Sequence, residues 1–331
     1  MTHCEIIIPY YQRESGILLR ALNSIFAQTF TDYRIVIVDD GSPCSADIDI
    51  GSLTAEQQEK IHLIKQANTG QAGARNAALD ACTEGVRMVA FLDSDDLWNP
   101  DHLERAVKVF NNAEIDFYWA SVERDPAFTE NYDRPSEVIP SDLQRPLTGV
   151  DDVFEVTSLQ KVLCGQWFRH MHLSSTVISG YLASKVRFDR DLEVSEDFDF
   201  LRRCSLVARR CASTDSAGVR RAYGDNIWQG AQATDFLYAV EKYRMMMMLK
   251  EMKHAPQLDP SDLELLDLRI QSCRERFYWS QAHRLKGRMG PHWRIWGNWI
   301  MSDPKLLGLV ASLLFKVNKN GGRTIIPGDD L

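Results

Sequence analysis

The 331-residue chain reads as an α/β protein, a doubly wound and mostly parallel sheet followed by a helical appendage. Three observations carry that reading. From residue 4 to about 112, short apolar runs of strand length alternate with stretches of helical periodicity, the pattern of successive βαβ units. Two of those runs stop abruptly in acid, at Asp39-Asp40-Gly41-Ser42 and at Asp93-Ser94-Asp95-Asp96. The carboxyl edge of such a sheet is where open α/β proteins bind ligands. Past about residue 230 the strand signals end and long helical periods take over.

Taken in order, Glu5-Ile6-Ile7-Ile8 is a buried strand halted by Pro9 and followed by Tyr10-Tyr11-Gln12-Arg13-Glu14. Leu18, Leu19, Leu22, Ile25 and Phe26 mark one stripe of a helix between Gly16 and Gln28. Arg34 to Val38 is the second strand, 54–60 a polar helix, and 61–65 the third strand. Asn68 to Asn76 opens a helix that runs to about Cys82. It looks like a phosphate loop but lacks the spacing of a nucleotide fingerprint. Met88 to Leu92 is the fourth strand, and Asn99-Pro100 reads as an N-cap with Pro in the next helix's first turn.

The second half is less regular. Residues 121–165, with Pro126, Pro135, Pro140 and Pro146, read as an irregular excursion. Leu173 to Ile178 is a strand and Gly180 to Lys185 a short helix. A further helix is N-capped by Ser195 and starts Glu196-Asp197. Phe236, Leu237, Val240, Tyr243, Met246 and Met247 form a core stripe, and 261–287 is a long helix N-capped by Ser261. The chain thus divides into a domain over 1–230, with halves at 1–120 and 121–230, and a helical region over 231–331.

Composition narrows the function. A formal net charge of −8 lacks the basic footprint of nucleic-acid binding. Seven scattered cysteines without CxxC spacing indicate reduced thiols in a cytoplasmic compartment, with neither disulfide framework nor zinc site. A strand beginning near Cys4 leaves no room for a signal peptide, and no apolar run approaches the ~20 residues of a membrane span.

The acids carry the chemistry. Clustered carboxylates raise one another's pKa unless a cation sits among them. Asp93 and Asp95, two residues apart, suit a hard divalent ion that also holds substrate phosphates. The alternative, a polar turn capping the next helix, leaves both unexplained. Asp40 is placed to hydrogen-bond a pyrimidine nucleotide, Tyr11 offers a face for the base, and Arg75 can reach a diphosphate or fix Asp93.

Four segments, Ile-Ile-Ile-Pro-Tyr-Tyr (6–11), Val-Asp-Asp-Gly-Ser (38–42), Asn-Thr-Gly-x-x-x-Ala-Arg-Asn (68–76) and Asp-Ser-Asp-Asp (93–96), occur in order over about 90 residues. Together they resemble the nucleotide-sugar domain of family 2 glycosyltransferases, inverting enzymes of the GT-A fold. The resemblance implies a nucleotide-sugar donor, a UDP-sugar first, bound by Pro9, Tyr11, Glu14, Asp40, Arg75, Asp93, Ser94, Asp95 and Arg221. It implies Mn²⁺ or Mg²⁺ on Asp95 and Asp93, and a base in the pair Glu196-Asp197, with Asp197 first and Asp199, a surface helix residue, in reserve. The acceptor it implies is a saccharide or lipid-linked saccharide, as in surface polysaccharide assembly. Tyr223 stands where the family often carries a histidine near the metal, so coordination is expected to rest on Asp95 and the donor phosphates, with Arg221 or Asp225 compensating, and the third ligand stays open. Two rivals remain, a sugar-nucleotide pyrophosphorylase and a non-catalytic nucleotide-sugar-binding protein. The tail, with Trp293, Trp296, Trp299, the Leu306–Phe315 face and interspersed Lys and Arg, reads either as an element at the inner face of the membrane or as one packed on the protein or a second copy.

Overall fold

In a computed structural model of the chain, residues 4–123, 133–165, 170–222 and 235–308 are described. The chain forms two compact units, 1–226 and 227–331.

The first unit begins with β1 (Cys4–Tyr10), α1 (Ile17–Phe26), β2 (Tyr33–Asp39), α2 (Ala46–Ile50), α3 (Ala55–Glu59), β3 (Ile61–Lys65), α4 (Gly70–Asp80) and β4 (Met88–Phe91). It continues through β5 (Leu97–Trp98), α5 (His102–Asn112), β6 (Phe117–Val122), α6 (Pro135–Val138), β7 (Gln144–Pro146), β8 (Val153–Val156) and α7 (Leu159–Cys164). It closes with β9 (Thr176–Ser179), α8 (Gly180–Lys185), α9 (Glu196–Val207) and β10 (Cys211–Arg220). One sheet runs β3-β2-β1-β4-β9-β6-β10-β8-β7, with β5 beside β10. Its first four strands are parallel, in the register Ile6 with Ile35 and Ala90. β9 enters antiparallel between β4 and β6.

The near-continuous apolar character of β1, β2 and β4 follows from cover on both faces. Ile6, Ile8, Ile35, Ile37, Ala90 and Leu92 share a core with Leu18, Leu22 and Ile25 of α1 and Leu103, Ala106 and Val109 of α5. α4 packs on β1 and β2; its buried Ala72, Ala74 and Ala78 bring its backbone close. This places the ends of β1, β2 and β4, and the N-terminus of α4, along one edge.

Several expectations need correction. The excursion over 121–165 supplies β7, β8 and α7; β8 pairs with β10, a strand too polar to show as an apolar run. Leu173–Ser175 is a 3₁₀ turn, so that strand starts at Thr176. α5 begins at His102, not Pro100. Its free amide at Leu103 is satisfied from outside the helix by Gln28 Oε1 at 3.0 Å, while Asn99 Nδ2 donates to the Ala217 carbonyl at 3.0 Å. Ser195 does precede α9, but in the left-handed region at φ 61°, with no side-chain cap bond.

The second unit contains α10 (Phe236–Met252), α11 (Pro260–Lys286) and α12 (Trp293–Ser302). Asp259, not Ser261, caps α11, in a reciprocal box with Asp262 and with Pro260 at the first position. In α10 the buried residues are Ala239, Met246, Met248, Leu249 and Met252; Phe236 is exposed. Two of the tail tryptophans are packing residues: Trp299 lies 4.1 Å from the Phe277 ring and 5.6 Å from Tyr243, and Trp296 5.4 Å from Phe277. Tyr223, Asp225, Pro126 and everything from residue 309 on, including most of the Leu306–Phe315 face, lie outside the described residues.

The turn from β9 into α8 yields a test. A Cβ at Gly180 would stand 1.8 Å from the Val86 carbonyl oxygen, a backbone atom just ahead of β4. Gly180→Ala is expected to lower unfolding free energy by about 1–3 kcal/mol, the range for overpacking, in urea denaturation. An unchanged midpoint would mean that β4 and β9 part more easily than their pairing implies.

Candidate active site

The site grows from the end of β4. Leu92 stays in the ladder, its amide donating to the Ile7 carbonyl at 3.0 Å, and the chain then turns through Asp93-Ser94-Asp95-Asp96 with the Asp96 amide donating to the Asp93 carbonyl at 3.0 Å. Ser174, in the 3₁₀ turn before β9, pins this loop. Its Oγ accepts from the Asp93 amide at 3.1 Å and donates to Asp96 Oδ2 at 2.7 Å. From the loop after β1, Gln12 Nε2 donates to Ser94 Oγ at 3.1 Å.

Asp93, Asp96 and His172 converge, with one ligand-capable atom of each lying within 4.8 Å of the others. Asp95 is outside this trio, although the sequence pairs it with Asp93. Burial, then the charges of Asp96 and Asp93, push the Asp95 carboxyl up to about 7. Burial and Asp93 push Asp96 up to about 7, against the Ser174 hydroxyl and Arg221, which favour its anion. Burial would also raise Asp93, but the Arg75 guanidinium, with His172 and Arg221, holds it below the usual carboxylate range. His172 is lowered by burial and by Arg221, against the pull of Asp93, Asp197 and Asp95. Two carboxylates and an imidazole converging this closely are a donor set that suits a divalent ion such as Mn²⁺ or Mg²⁺.

Arg75 crosses from this loop to α9. It is 2% exposed. Its Nη2 donates to Asp93 Oδ1 at 2.7 Å and its Nη1 to Glu196 Oε1 at 2.9 Å, and its guanidinium lies 5.3 Å from the centre of the Phe188 ring. Asn76, the next residue, accepts from the Phe188 amide and donates to the Phe188 carbonyl, both at 2.9 Å. Adjacent residues of α4 thus hold the loop that leads into α9. Phe188 stacks on Phe200 at 3.9 Å, and Phe91 of β4 meets both rings edge-on.

The two first-turn acids of α9 differ. Glu196 is 6% exposed and bound to Arg75; burial and Asp197 push it up to about 7. Asp197 is half-buried, and its Oδ1 accepts from the Phe198 amide at 2.7 Å. Asp199, expected on the surface, is instead buried in ion pairs with Arg202 (2.7 Å) and Arg203.

The remaining predicted residues are more dispersed. Asp40 is buried, accepting from the amides of Thr69 and Gly70 at 2.9 Å each and from Gln66 Nε2 at 2.7 Å. Pro9 is the penultimate residue of β1, and Glu14 is exposed in the loop after it. Tyr11 is 37% exposed, with the Arg13 guanidinium 5.9 Å from its ring. Arg221, just past β10, is close enough for its charge to act on Asp93, Asp96 and His172. Sequence reasoning missed Gln12, Asp96 as a convergent donor, His172 and Ser174. The last two sit together in His172-Leu173-Ser174, a tripeptide with no motif spacing to give it away.

Comparison with known proteins follows the same lines. The family model for Glycosyl transferase family 2 matches residues 5–168. The succinoglycan biosynthesis protein ExoW of Rhizobium meliloti (strain 1021) is 35% identical over 318 residues, covering 95% of this chain and 98% of that protein. Among solved structures, S. aureus TarS 1-349 in complex with UDP-GlcNAc superposes with TM-score 0.56 at 19% identity, over 85% of this chain and 74% of that one. The mannosyltransferase PcManGT from Pyrobaculum calidifontis, in complex with GDP-Man and Mn²⁺, gives 0.55 at 15% identity, over 95% and 80%. At those identities the two structures establish the GT-A fold.

The Arg75 bridge predicts a pH-dependent stability. Asp95, Asp96 and Glu196 are raised, so the folded chain keeps protons that the unfolded chain releases above about pH 4. Their stabilising contribution is fullest at low pH and is lost as pH rises through about 7. Arg75→Met leaves the buried Glu196 and the half-buried Asp93 without their cation and should cost about 3–5 kcal/mol at pH 8. The loss should shrink at pH 5, where those carboxyls take up protons. Urea unfolding at both pH values checks this, and equal losses would contradict it.

Proposed function

Because the chain belongs to glycosyl transferase family 2, we propose that it transfers a sugar, with inversion, from a UDP-sugar to a saccharide acceptor carried on a lipid. The observation that carries this reading is the placement of the Asp93–Asp96–His172 trio and the Glu196–Asp197 pair on either side of Arg75. This supports reading the trio as the diphosphate side and the carboxylate pair as the base side of one linked network.

In this reading Tyr11 offers its exposed ring to the base, Asp40 and Glu14 lie on the nucleotide side, and Arg221 faces the diphosphate. Asp93, Asp96 and His172 would hold Mn²⁺ or Mg²⁺, with Asp95 the alternative donor. A bound ion supplies Lewis-acid neutralisation of charge on the departing diphosphate. Asp197, not engaged by Arg75, takes the acceptor hydroxyl proton as that oxygen bonds to the anomeric carbon and the bond to the diphosphate oxygen breaks. UDP leaves from the opposite face, so configuration inverts without a covalent enzyme intermediate. Glu196, neutralised by Arg75, orients its neighbour. Family membership favours this transfer over pyrophosphorylase chemistry. ExoW's name supports a place in polysaccharide assembly, with the chain working at the cytoplasmic face where nucleotide sugars are made.

UDP release from a panel of UDP-sugars with Mn²⁺ tests the reading. Asp197→Asn should lower kcat roughly 10²–10⁴-fold, the usual contribution of a positioned base, with UDP affinity little changed. Near-normal turnover would move the role to Glu196. For the ion, calorimetry of UDP binding against Mn²⁺ should show Asp96→Asn and His172→Gln needing about 10-fold more Mn²⁺ or beyond, at least the loss seen for outer-shell changes. If only Asp95→Asn does so, the ligand set is the one read from sequence.

A further inference from the structure

We propose that the turn between α11 and α12, with the outer face of α12, is a docking surface for an anionic lipid bilayer. The inference is independent of the donor-site reading. No described helix is long and apolar enough to cross a membrane, so the contact is one that lies on the surface.

The surface is defined by what is exposed and by what is missing. Leu285, Met289, Trp293, Met301 and Leu307 are exposed, Trp293 at 73% and Met301 at 78%. Within α12, Trp293, Gly297 and Met301 follow at four-residue steps, so at about 100° per residue they share one face with Arg294 beside them. Ile295 and Trp299 occupy the opposite, buried face. Trp293 is therefore not needed for the packing that uses Trp296 and Trp299. An indole presented at a helix start is suited to the headgroup region.

The charges name the occupant. From residue 284 to 308 the chain contains one acid, Asp303. It is buried and neutralised by Arg274 and by Lys250 at 3.4 Å. Arg288, Arg294 and Lys305 are exposed around the apolar residues. A second copy docked by a two-fold axis would bring this same cationic patch against itself. An anionic bilayer is complementary to it, and it repels the remainder of a chain whose net charge is −8, which leaves this patch as the part that approaches.

The test is flotation of the full chain with phosphatidylglycerol vesicles and with phosphatidylcholine vesicles, at low and high salt. Binding to the first only, weakened by salt, is expected. Arg288→Gln with Arg294→Gln should weaken it roughly 10-fold or more, since each cation near such a surface contributes a several-fold factor. Met301→Ser should weaken it too. Brominated lipid should quench tryptophan fluorescence of the wild type, and Trp293→Phe should abolish that quenching. Thermal midpoints of these variants should stay unchanged, because the altered side chains are solvent-facing. Failure of the wild type to bind anionic vesicles overturns the proposal. So does equal binding to neutral vesicles, or variants that bind normally but break an oligomer in light scattering.

Discussion

The buried guanidinium of Arg75 is the constraint on which the site depends. Taking one cation and two carboxylates out of water is expensive, and the arrangement holds only because Asp93 and Glu196 each meet a separate nitrogen of a planar fork. A lysine would offer a compact point charge in place of that fork. The two acids are 103 residues apart in sequence by their numbers, 93 and 196, and come from the end of β4 and the start of α9. One side chain therefore fixes the distance between the acidic loop and α9. Asn76 repeats the attachment through backbone groups of Phe188, so the spacing does not rest on charge alone.

The apolar layer beneath makes this rigid. Phe91, Phe188 and Phe200 pack ring against ring, and such pairs contribute about 0.5–1.5 kcal/mol beyond area burial. They join β4, the loop before α9 and α9 itself directly under the guanidinium. An error in the core would thus be transmitted to the carboxylates above it. This links packing to chemistry within a single cluster.

Much of residues 4–112 was legible because its signals are local. The runs at 5–8, 34–38 and 88–92 are short and apolar because those strands are covered on both faces, and acids follow two of them where the sheet ends. β10 was invisible for the opposite reason. Cys211–Arg220 owes its strand conformation to β6 and β8 on either side, partners distant in sequence. Gln28, capping α5 from another helix's end, is the same kind of event, and it displaced a boundary that Asn99-Pro100 placed two residues early. His172 and Ser174 escaped because their significance is purely spatial. Neither has a neighbour in sequence that the chemistry requires, and only the fold brings them to Asp93 and Asp96.

The amides that open α4 have a final consequence. A glycine-containing turn at a helix start, with its partial positive charge, is a ready receptor for phosphate, and the stretch from Asn68 to Gly73 invites that assignment. Here Thr69 and Gly70 donate to Asp40 instead, so a carboxylate of the chain already neutralises that end of the helix dipole. The dipole instead serves to lock the β2 turn to α4, at the two amides that Asp40 occupies.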